Sequence, residues 1–355
     1  MIGDRLKKAR NAAGLNMRKL GDLAEISAMA ISKYERNESM PSSGVLLALA
    51  KALGVRVEYF FRQTEVKLKE VDYRDHDKLP AAEERKVFAD VEEQIERWIG
   101  LEEFLPTAWS TPFKLPAGLP KKIESMDEIE AVANAVRHAW QLGLNPVPNL
   151  TDTLETKGIK VFITRYDGHK HFNGLSAMVN DSPVIVVGKS WPGDRQRFTL
   201  AHELGHLILK GRLNKALDEE KACNRFAGAF LVPDVKVKQA LGESRKRLEP
   251  QELKLLKDEW GLSMQGWLYR TLDLGVVSKA TNTELWGLFR QKGWNVKEPE
   301  PQYPNEETRL FKQSVYHALA EDLIGESKAA ELLGMSVMDL HACRKMECPD
   351  AVANK

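Results

Sequence analysis

The segment His202-Glu203-Leu-Gly-His206 holds the residues best suited to chemistry. It lies in a largely apolar stretch, residues 197–209, that is typical of a buried helix. Residues four apart on a helix lie above one another, so both imidazoles project from one face. Two neutral imidazoles at this spacing can bind one Zn²⁺, and the glutamate beside the first is placed to act on a water molecule at the metal.

A zinc hydrolase site needs a third protein ligand, which we expect from a second helix. Acidic residues followed by phenylalanines at helical spacing predict that helix in residues 218–233. Glu220 and Asn224 are four apart and share a face, so one can bind the metal while the other hydrogen-bonds a ligand histidine. Glu219 lies off this face and is the less favoured ligand. The alternative is that the acidic residues only form a favourable helix start.

The sequence around these residues resembles the ImmA/IrrE family of metallopeptidases. The similar stretches are residues 174–176, 183–187, 195–206, 220–227, 231–233, 262–270 and 294–299. The resemblance implies one zinc ion per chain, bound by His202, His206 and Glu220. It also implies Glu203 as the general base, with Asn224 consistent with a place behind the ligands. Members of the family cleave repressors, so a repressor is the implied substrate.

The group that would stabilise a developing oxyanion has no clear signature in the sequence. The candidates are Tyr166, His169, His171, Tyr269 and Arg270. For the first three, a surface loop is the favoured alternative, and for the last two it is helix packing. Cys223 falls within the second helix and is interpreted as a small buried apolar residue.

Residues 1–61 predict an all-α domain with a helix-turn-helix at its centre. Apolar positions and glycine breaks indicate five short helices in about sixty residues. Segments 2–10, 31–37 and 50–55 resemble the XRE (Cro/repressor-like) family. In that family the third helix enters the major groove of double-stranded DNA.

The XRE resemblance implies a set of DNA contacts and one structural ion pair. Base contacts fall at Ser27, Ala28, Met29, Ser32 and Lys33, and phosphate contacts at Arg18, Arg36 and Asn37. Arg10 and Glu35 match the ion pair. Asn16-Met17 departs from the usual Thr-Gln of the family, which removes one contact. Ten Lys/Arg against six Asp/Glu in residues 1–61 is a modest basic excess. The alternative is therefore a head used for dimerisation or for binding another repressor head.

The whole chain of 355 residues predicts a multidomain protein, mainly α, with an α+β zincin-like catalytic domain. The expected divisions are the head at 1–61, a charged connector and helical region at 62–149, the zinc peptidase core at 150–240 and a helical region at 241–355. Strands are expected at 159–163, 175–179 and 184–187, with helices on one face of their sheet. Residues 327–336 have the rhythm of another helix-turn-helix, although this rhythm is short and common.

Composition restricts the surroundings in which the chain works. A net charge of +1 argues against bulk polyelectrolyte binding, so any nucleic-acid contact is local. Three cysteines are too few for a disulfide framework. We find no leader of signal-peptide type and no apolar run of about eighteen residues. The sequence therefore predicts a cytoplasmic protein with no membrane partner.

Together these features predict a regulatory zinc endopeptidase with a DNA-binding head that cleaves a transcriptional repressor or another regulator. The alternative is a non-proteolytic regulator whose zinc site is a sensor or a structural element. The intact Glu203 favours chemistry. The expected partners are double-stranded DNA, the protein substrate and, by analogy with XRE heads, a second copy of the chain. The same ligands would also accept manganese or other divalent ions.

Overall fold

The computed structural model describes residues 2–62, 69–73, 81–106, 112–164 and 172–347. Three oxyanion candidates, Tyr166, His169 and His171, lie outside these ranges, as does most of the charged segment before residue 81. Among the described residues, no helix has the length and apolar character needed to cross a bilayer.

The amino-terminal unit is the predicted bundle of short helices. Its elements are α1 (Ile2–Ala12), α2 (Met17–Ala24), α3 (Ala28–Glu35), α4 (Ser43–Leu53) and a 3₁₀ helix (Val57–Phe61). The side chains of Asn16, Ser27 and Ser42 cap α2, α3 and α4 by accepting backbone N–H bonds. The helices enclose a core that includes Leu6, Leu20, Ile31, Leu49 and Phe60. Helices α2 and α3, joined by three residues, form the helix-turn-helix.

The ion pair expected within the head is confirmed. The guanidinium of Arg10 on α1 donates to both carboxylate oxygens of Glu35 on α3, at 2.6 and 2.9 Å. Both side chains are buried, and the hydrogen bond to Glu35 raises the pKa of Arg10. A buried bidentate pair fixes the relative orientation of the two helices, because neither charge finds an alternative partner without returning to water.

A four-stranded mixed sheet lies in the centre of the larger unit. Its strands are β1 (Lys69–Tyr73), β2 (Lys160–Thr164), β3 (Gly174–Val179) and β4 (Ser182–Gly188), in the order β1-β3-β4-β2. β2 and β4 are parallel, whereas β3 is antiparallel to both β1 and β4. Asn180 and Asp181, both with positive φ, form the two-residue turn between β3 and β4. The strand β1 was not expected, because its sequence is as charged as its surroundings.

Helices cover both faces of this sheet, so the expectation of helices on one face is wrong. Ile185 and Val187 belong to one core, and Val184 and Val186 belong to another. The unbroken apolar run 183–187 is the sequence pattern of a strand buried on both faces. Strands with one solvated face alternate apolar and polar residues instead, which this run does not do.

Outside the head, the described residues contain twelve α-helices, which fall into three groups along the chain. Before β3 these are α5 (Ala81–Glu102), α6 (Glu128–Ala139) and α7 (Leu150–Thr156). After β4 they are α8 (Gly193–Leu209), α9 (Glu219–Leu231), α10 (Asp234–Leu241), α11 (Pro250–Trp260), α12 (Met264–Asp273) and α13 (Lys279–Lys292). The last group is α14 (Leu310–Ala320), α15 (Glu326–Leu333) and α16 (Val337–Arg344). The first core surrounds α8 and α9 on one face of the sheet. The second core lies on the other face and contains residues of α5 and of α14–α16.

A carboxy-terminal segment crosses the start of α8. Gly193 donates its backbone N–H to the carbonyl of Tyr303 at 3.1 Å, and a Cβ at Gly193 would lie 1.7 Å from the carbonyl oxygen of Pro304. Only glycine allows this approach. The next residues carry Glu306, whose carboxylate accepts from Arg197 at 2.6 Å. The helix with the His-Glu-x-x-His motif is thus held at its first turns by residues far along the chain.

Two buried carboxylates link the start of α8 to neighbouring helices. Glu306 accepts from the backbone of Leu150 and Thr151 at the start of α7, and also binds Arg197. Glu298 accepts from the first residues of α12 and from Lys257, which also pairs with Asp194 on α8. Each carboxylate neutralises a buried cation and satisfies N–H groups that a helix start leaves open.

Candidate metal centre and DNA-binding surface

The helices α8 and α9 approach closely at Gly205. A Cβ at this position would lie 3.2 Å from a ring carbon of Phe226 and 3.3 Å from the Cα of Cys223. The missing side chain therefore allows α9 to pack directly against the helix that carries the motif. Cys223 is fully buried in this contact, which agrees with its interpretation as a small apolar residue.

This packing brings His202, His206 and Glu220 together. The Nε2 atoms of the two histidines are 3.1 Å apart. Glu220 places one carboxylate oxygen 3.3 Å from Nε2 of His202 and the other 3.2 Å from Nε2 of His206. Donors about 2.1 Å from a shared zinc ion in tetrahedral geometry are roughly 3.4 Å from one another. The three side chains therefore fit a zinc ion in both donor chemistry and spacing.

A hydrogen bond at Nδ1 orients each of these histidines. Asn224 places its Oδ1 3.0 Å from Nδ1 of His202. Glu219 places a carboxylate oxygen 3.2 Å from Nδ1 of His206. With the proton held at Nδ1, each ring presents the lone pair of Nε2 to the common point.

Sequence reasoning missed the contact of Glu219, because it asked only whether this residue shared the face of Asn224. The two residues contact different histidines, which lie one helical turn apart on α8. A search for one partner per histidine, instead of one shared face, would have selected both Glu219 and Asn224.

The site is enclosed on the side of α8 and accessible on the side of α9. His202 and Glu203 are each 1% exposed, whereas the side chain of Glu220 is 37% exposed. Burial strengthens the interaction of a carboxylate with nearby charge and polar groups. An open side is what a small molecule or a peptide needs to reach the common point of the three donors.

The two described oxyanion candidates lie in packing contacts. Arg270 is 1% exposed and donates to both carboxylate oxygens of Glu130 and to the carbonyl of Val232. Tyr269 is exposed and packs against the ring of Trp286, with centroids 5.4 Å apart. These contacts agree with the helix-packing alternative for the pair.

The implied DNA contacts lie mostly on the outside of the head. Arg18, Met29, Lys33 and Arg36 are exposed, while Ala28 and Ser32 are partly exposed. The side chain of Met29 is 70% exposed. Arg36 also pairs with Glu38 on the surface, at 2.8 Å.

Two of the implied contact residues also have structural roles. Ser27 uses its hydroxyl oxygen to cap α3, 3.1 Å from the N–H of Ala30. Asn37, with φ at 58°, accepts the N–H of Gly3 at 2.9 Å and so joins the start of α1 to the end of α3. The side-chain amide N–H groups of Asn37 are not used by this bond.

Comparison with known proteins supports both sequence resemblances. Residues 154–272 match the M78 peptidase family model, described as the IrrE N-terminal-like domain. Residues 6–60 match a helix-turn-helix family model. The chain therefore carries an XRE-type helix-turn-helix domain at its amino-terminal end and a domain of the IrrE/ImmA-like peptidase family further along.

The similar curated proteins each match a short stretch of 62 to 64 residues, 18% of this chain. The repressor protein C2 of Salmonella phage P22 is 34% identical over 62 residues, which are 18% of this chain and 29% of that protein. An uncharacterized transcriptional regulator in the ATPase CF(0) region of Rhodospirillum rubrum is 36% identical over 64 residues. The SPbeta prophage-derived HTH-type regulator YonR of Bacillus subtilis is 31% identical over 64 residues. The chain spans 59% of each of these last two proteins.

A solved structure, Bacillus thuringiensis PlcR in complex with the peptide PapR7 and DNA, aligns with all of this chain and 99% of that one. The sequence identity is 12% and the TM-score is 0.17, so this likeness carries no argument about the fold.

Proposed function

We propose that this chain is a DNA-binding regulator that carries a zinc-dependent endopeptidase and cleaves a transcriptional repressor. One observation carries the proposal: donor atoms of His202, His206 and Glu220 lie within 4.8 Å of one another, beside the buried Glu203. The matches to a peptidase family and to a helix-turn-helix family support it further. Binding to an operator would raise the effective concentration of the peptidase near repressors bound to the same DNA.

In this proposal His202, His206 and Glu220 hold one zinc ion per chain. When bound, zinc would polarise the scissile carbonyl and lower the pKa of a water ligand towards about 7. Glu203 takes the proton of the attacking water and returns it to the leaving amine. Asn224 and Glu219 hold the Nδ1 protons of the two histidines, so that each Nε2 keeps its orientation throughout the reaction.

The DNA-binding part of the proposal assigns the operator to the head. Arg18, Lys33, Arg36 and Asn37 would contact the duplex together with the exposed first turn of α3. A protein that acts on operator DNA and on a repressor works in the cytoplasm, and we place this chain there. A homodimer on two half-sites follows from the same mode of binding.

The test is amino-terminal peptide profiling of a host lysate treated with zinc-loaded protein or with its Glu203→Gln variant. The substitution keeps the shape of the side chain and the metal ligands but removes the base. We expect one new peptide terminus with the wild-type chain, formed at least about 100-fold more slowly by the variant. The sequence at the terminus would identify both the substrate and the bond.

A matched control is Glu259→Gln, the same change at an exposed position of α11. It should cleave like the wild-type chain. Zinc content, measured by mass spectrometry of metals, should be equal in all three proteins. If no terminus appears although zinc is bound in each protein, the peptidase proposal fails and the sensor alternative is favoured.

A further inference from the structure

The helices α14 to α16 repeat the lengths of the first three helices of the head. α1 and α14 each contain 11 residues. The helices that follow, α2, α3, α15 and α16, contain 8 residues each. The turn between α15 and α16 has the same length as that between α2 and α3. This is the spacing of a helix-turn-helix.

The two turns agree residue by residue. The first residue of each is left-handed: Glu25 has φ at 56° and Gly334 has φ at 70°. The third residue of each is a serine that caps the next helix. Ser27 and Ser336 accept the backbone N–H three residues on, at 3.1 and 3.0 Å. A left-handed residue followed by a capped start sets the angle at which the second helix leaves the first.

Burial within the two helix pairs also corresponds. The fourth residue of the second helix is fully buried in both, as Ile31 in α3 and Leu340 in α16. The second residue is an exposed methionine in both: Met29 is 70% exposed and Met338 is 79% exposed. In a helix-turn-helix the first positions of the second helix face the base edges. The first helices differ, because α1 packs on α3 whereas α14 packs on α15.

Basic residues occupy two matching positions at the outer side of each pair. The third residue of the first helix is Lys19 in α2 and Lys328 in α15. The first residue after the second helix is Arg36 in the head and Lys345 in the carboxy-terminal pair. Arg36 and Lys345 are both exposed. Such positions flank the recognition helix and suit contacts to phosphates.

The overall charge of residues 310–344 is less favourable, with five acidic against three basic residues. Three of the acidic side chains are already engaged by neighbouring groups. They are Glu331 with Arg62 and Lys328, Asp339 with Ser336, and Glu326 with His341 and Arg344. The pair of Glu326 with Arg344 is exposed, so phosphate oxygens can replace the carboxylate at little cost.

The head holds this second helix pair from the side of its turn. Arg56 donates to the carbonyls of Ala330, at 3.0 Å, and Met335. Arg62 pairs with Glu331 at 3.2 Å. A guanidinium at the carboxyl end of α15 also interacts favourably with the helix dipole. The contact joins the end of the head to α15 and leaves Met29 and Met338 exposed.

We propose that α15 and α16 form a second DNA-binding helix-turn-helix. In this proposal α16 lies in the major groove of a duplex segment next to the one bound by the head. The inference rests on the DNA-binding part of the proposed function, since the docked head determines where α16 meets the duplex. One chain would then contact two duplex segments.

The test uses the full chain and duplexes selected by it from a random DNA library. Hydroxyl-radical footprinting should show two protected segments. The variant Arg344→Gln/Lys345→Gln should lose protection of the segment bound by α16 and lower the slope of log affinity against log salt by about 1.8. Lys33→Gln/Arg36→Gln should weaken protection of the segment bound by the head. The control Lys279→Gln/Lys312→Gln, two exposed lysines outside α15 and α16, should change neither.

A second variant, Met338→Ala, removes an exposed side chain and no charge. It should change the base preference of the duplex segment bound by α16 without lowering the slope of log affinity against log salt. If both α16 variants keep the wild-type footprint while the head variant loses binding, the inference is overturned and the head alone binds DNA. If the wild-type chain selects no duplex, both this inference and the DNA-binding part of the proposed function are overturned. Thermal unfolding of each variant must match that of the wild type.

Discussion

The candidate metal centre and the candidate DNA-binding surface of the head present their side chains in opposite ways. His202 is 1% exposed and oriented by a hydrogen bond at Nδ1, whereas Met29 is 70% exposed and Arg18 lies on the surface. A buried donor has one geometry and loses much when a partner is removed. An exposed cation shares a graded, salt-dependent attraction with its neighbours. Single substitutions should therefore lower metal binding at the candidate centre steeply, but lower duplex binding by the head only gradually.

A buried carboxyl outside the metal centre tests whether burial alone produces a steep response. Burial raises the pKa of Glu155 on α7 to about 8, and Asp152 adds to the rise. The folded chain therefore keeps a proton that the unfolded chain releases near pH 4.5, the ordinary value for this carboxyl. Stability is then fully present below that pH and is lost as the pH rises towards about 8.

Glu155→Gln should remove this loss. The variant should be more stable than the wild-type chain at pH 8, by roughly 3–5 kcal/mol, and the difference should shrink towards pH 5. Urea unfolding at a series of pH values measures it. The exposed Glu284→Gln should follow the wild-type curve. A constant difference across pH would show that Glu155 does not hold a proton in the folded chain.

Changes to the residues that orient the two histidines should have effects of intermediate size. Asn224→Ala should weaken zinc binding by about 10- to 100-fold, because His202 loses the hydrogen bond that holds the proton at Nδ1. Glu219→Gln should have a smaller effect, since the side chain of Glu219 is 57% exposed and water can replace it. Competition with a chromogenic chelator gives both affinities. Lys221→Gln, an exposed change on the same helix, is the control. Equal affinity in all four proteins would contradict a role for these contacts.

The smallest effect is expected on the head. Arg18→Gln should weaken duplex binding by less than about tenfold and lower the salt slope by about 0.9, equally for all sequences. Fluorescence anisotropy at several salt concentrations measures both quantities. Lys51→Gln, an exposed change on α4, should leave the slope unchanged. A steep, salt-independent loss with Arg18→Gln would remove the distinction between the two surfaces.

Short-range patterns made part of the site predictable. The spacing of His202 and His206, four residues apart, is a property of one helix, and so is that of Glu220 and Asn224. The packing of α9 against α8 could be expected because a zinc site of this type needs a third protein ligand from a second helix. The same reasoning predicted the head, whose helices begin at Asn16, Ser27 and Ser42 with side-chain caps.

Long-range contacts were beyond this reasoning. β1 pairs with β3 more than a hundred residues later, and no local signal in its charged sequence marks it. Glu306 supports α8 through Arg197, yet nothing in the sequence links the two positions. Neither residue type nor spacing encodes such partners, because they depend on the path of the chain between them.

The bond between Arg197 and Glu306 also has a consequence for biosynthesis. The two residues are 109 positions apart, and the carboxylate is made last. A ribosome that has translated α8 has already released the whole head, whose core needs no residue beyond Phe60. The guanidinium of Arg197 cannot pair with the carboxylate of Glu306 until residue 306 has been translated. During synthesis the helix-turn-helix domain can therefore fold well before α8, with its His-Glu-x-x-His motif, is anchored by Glu306.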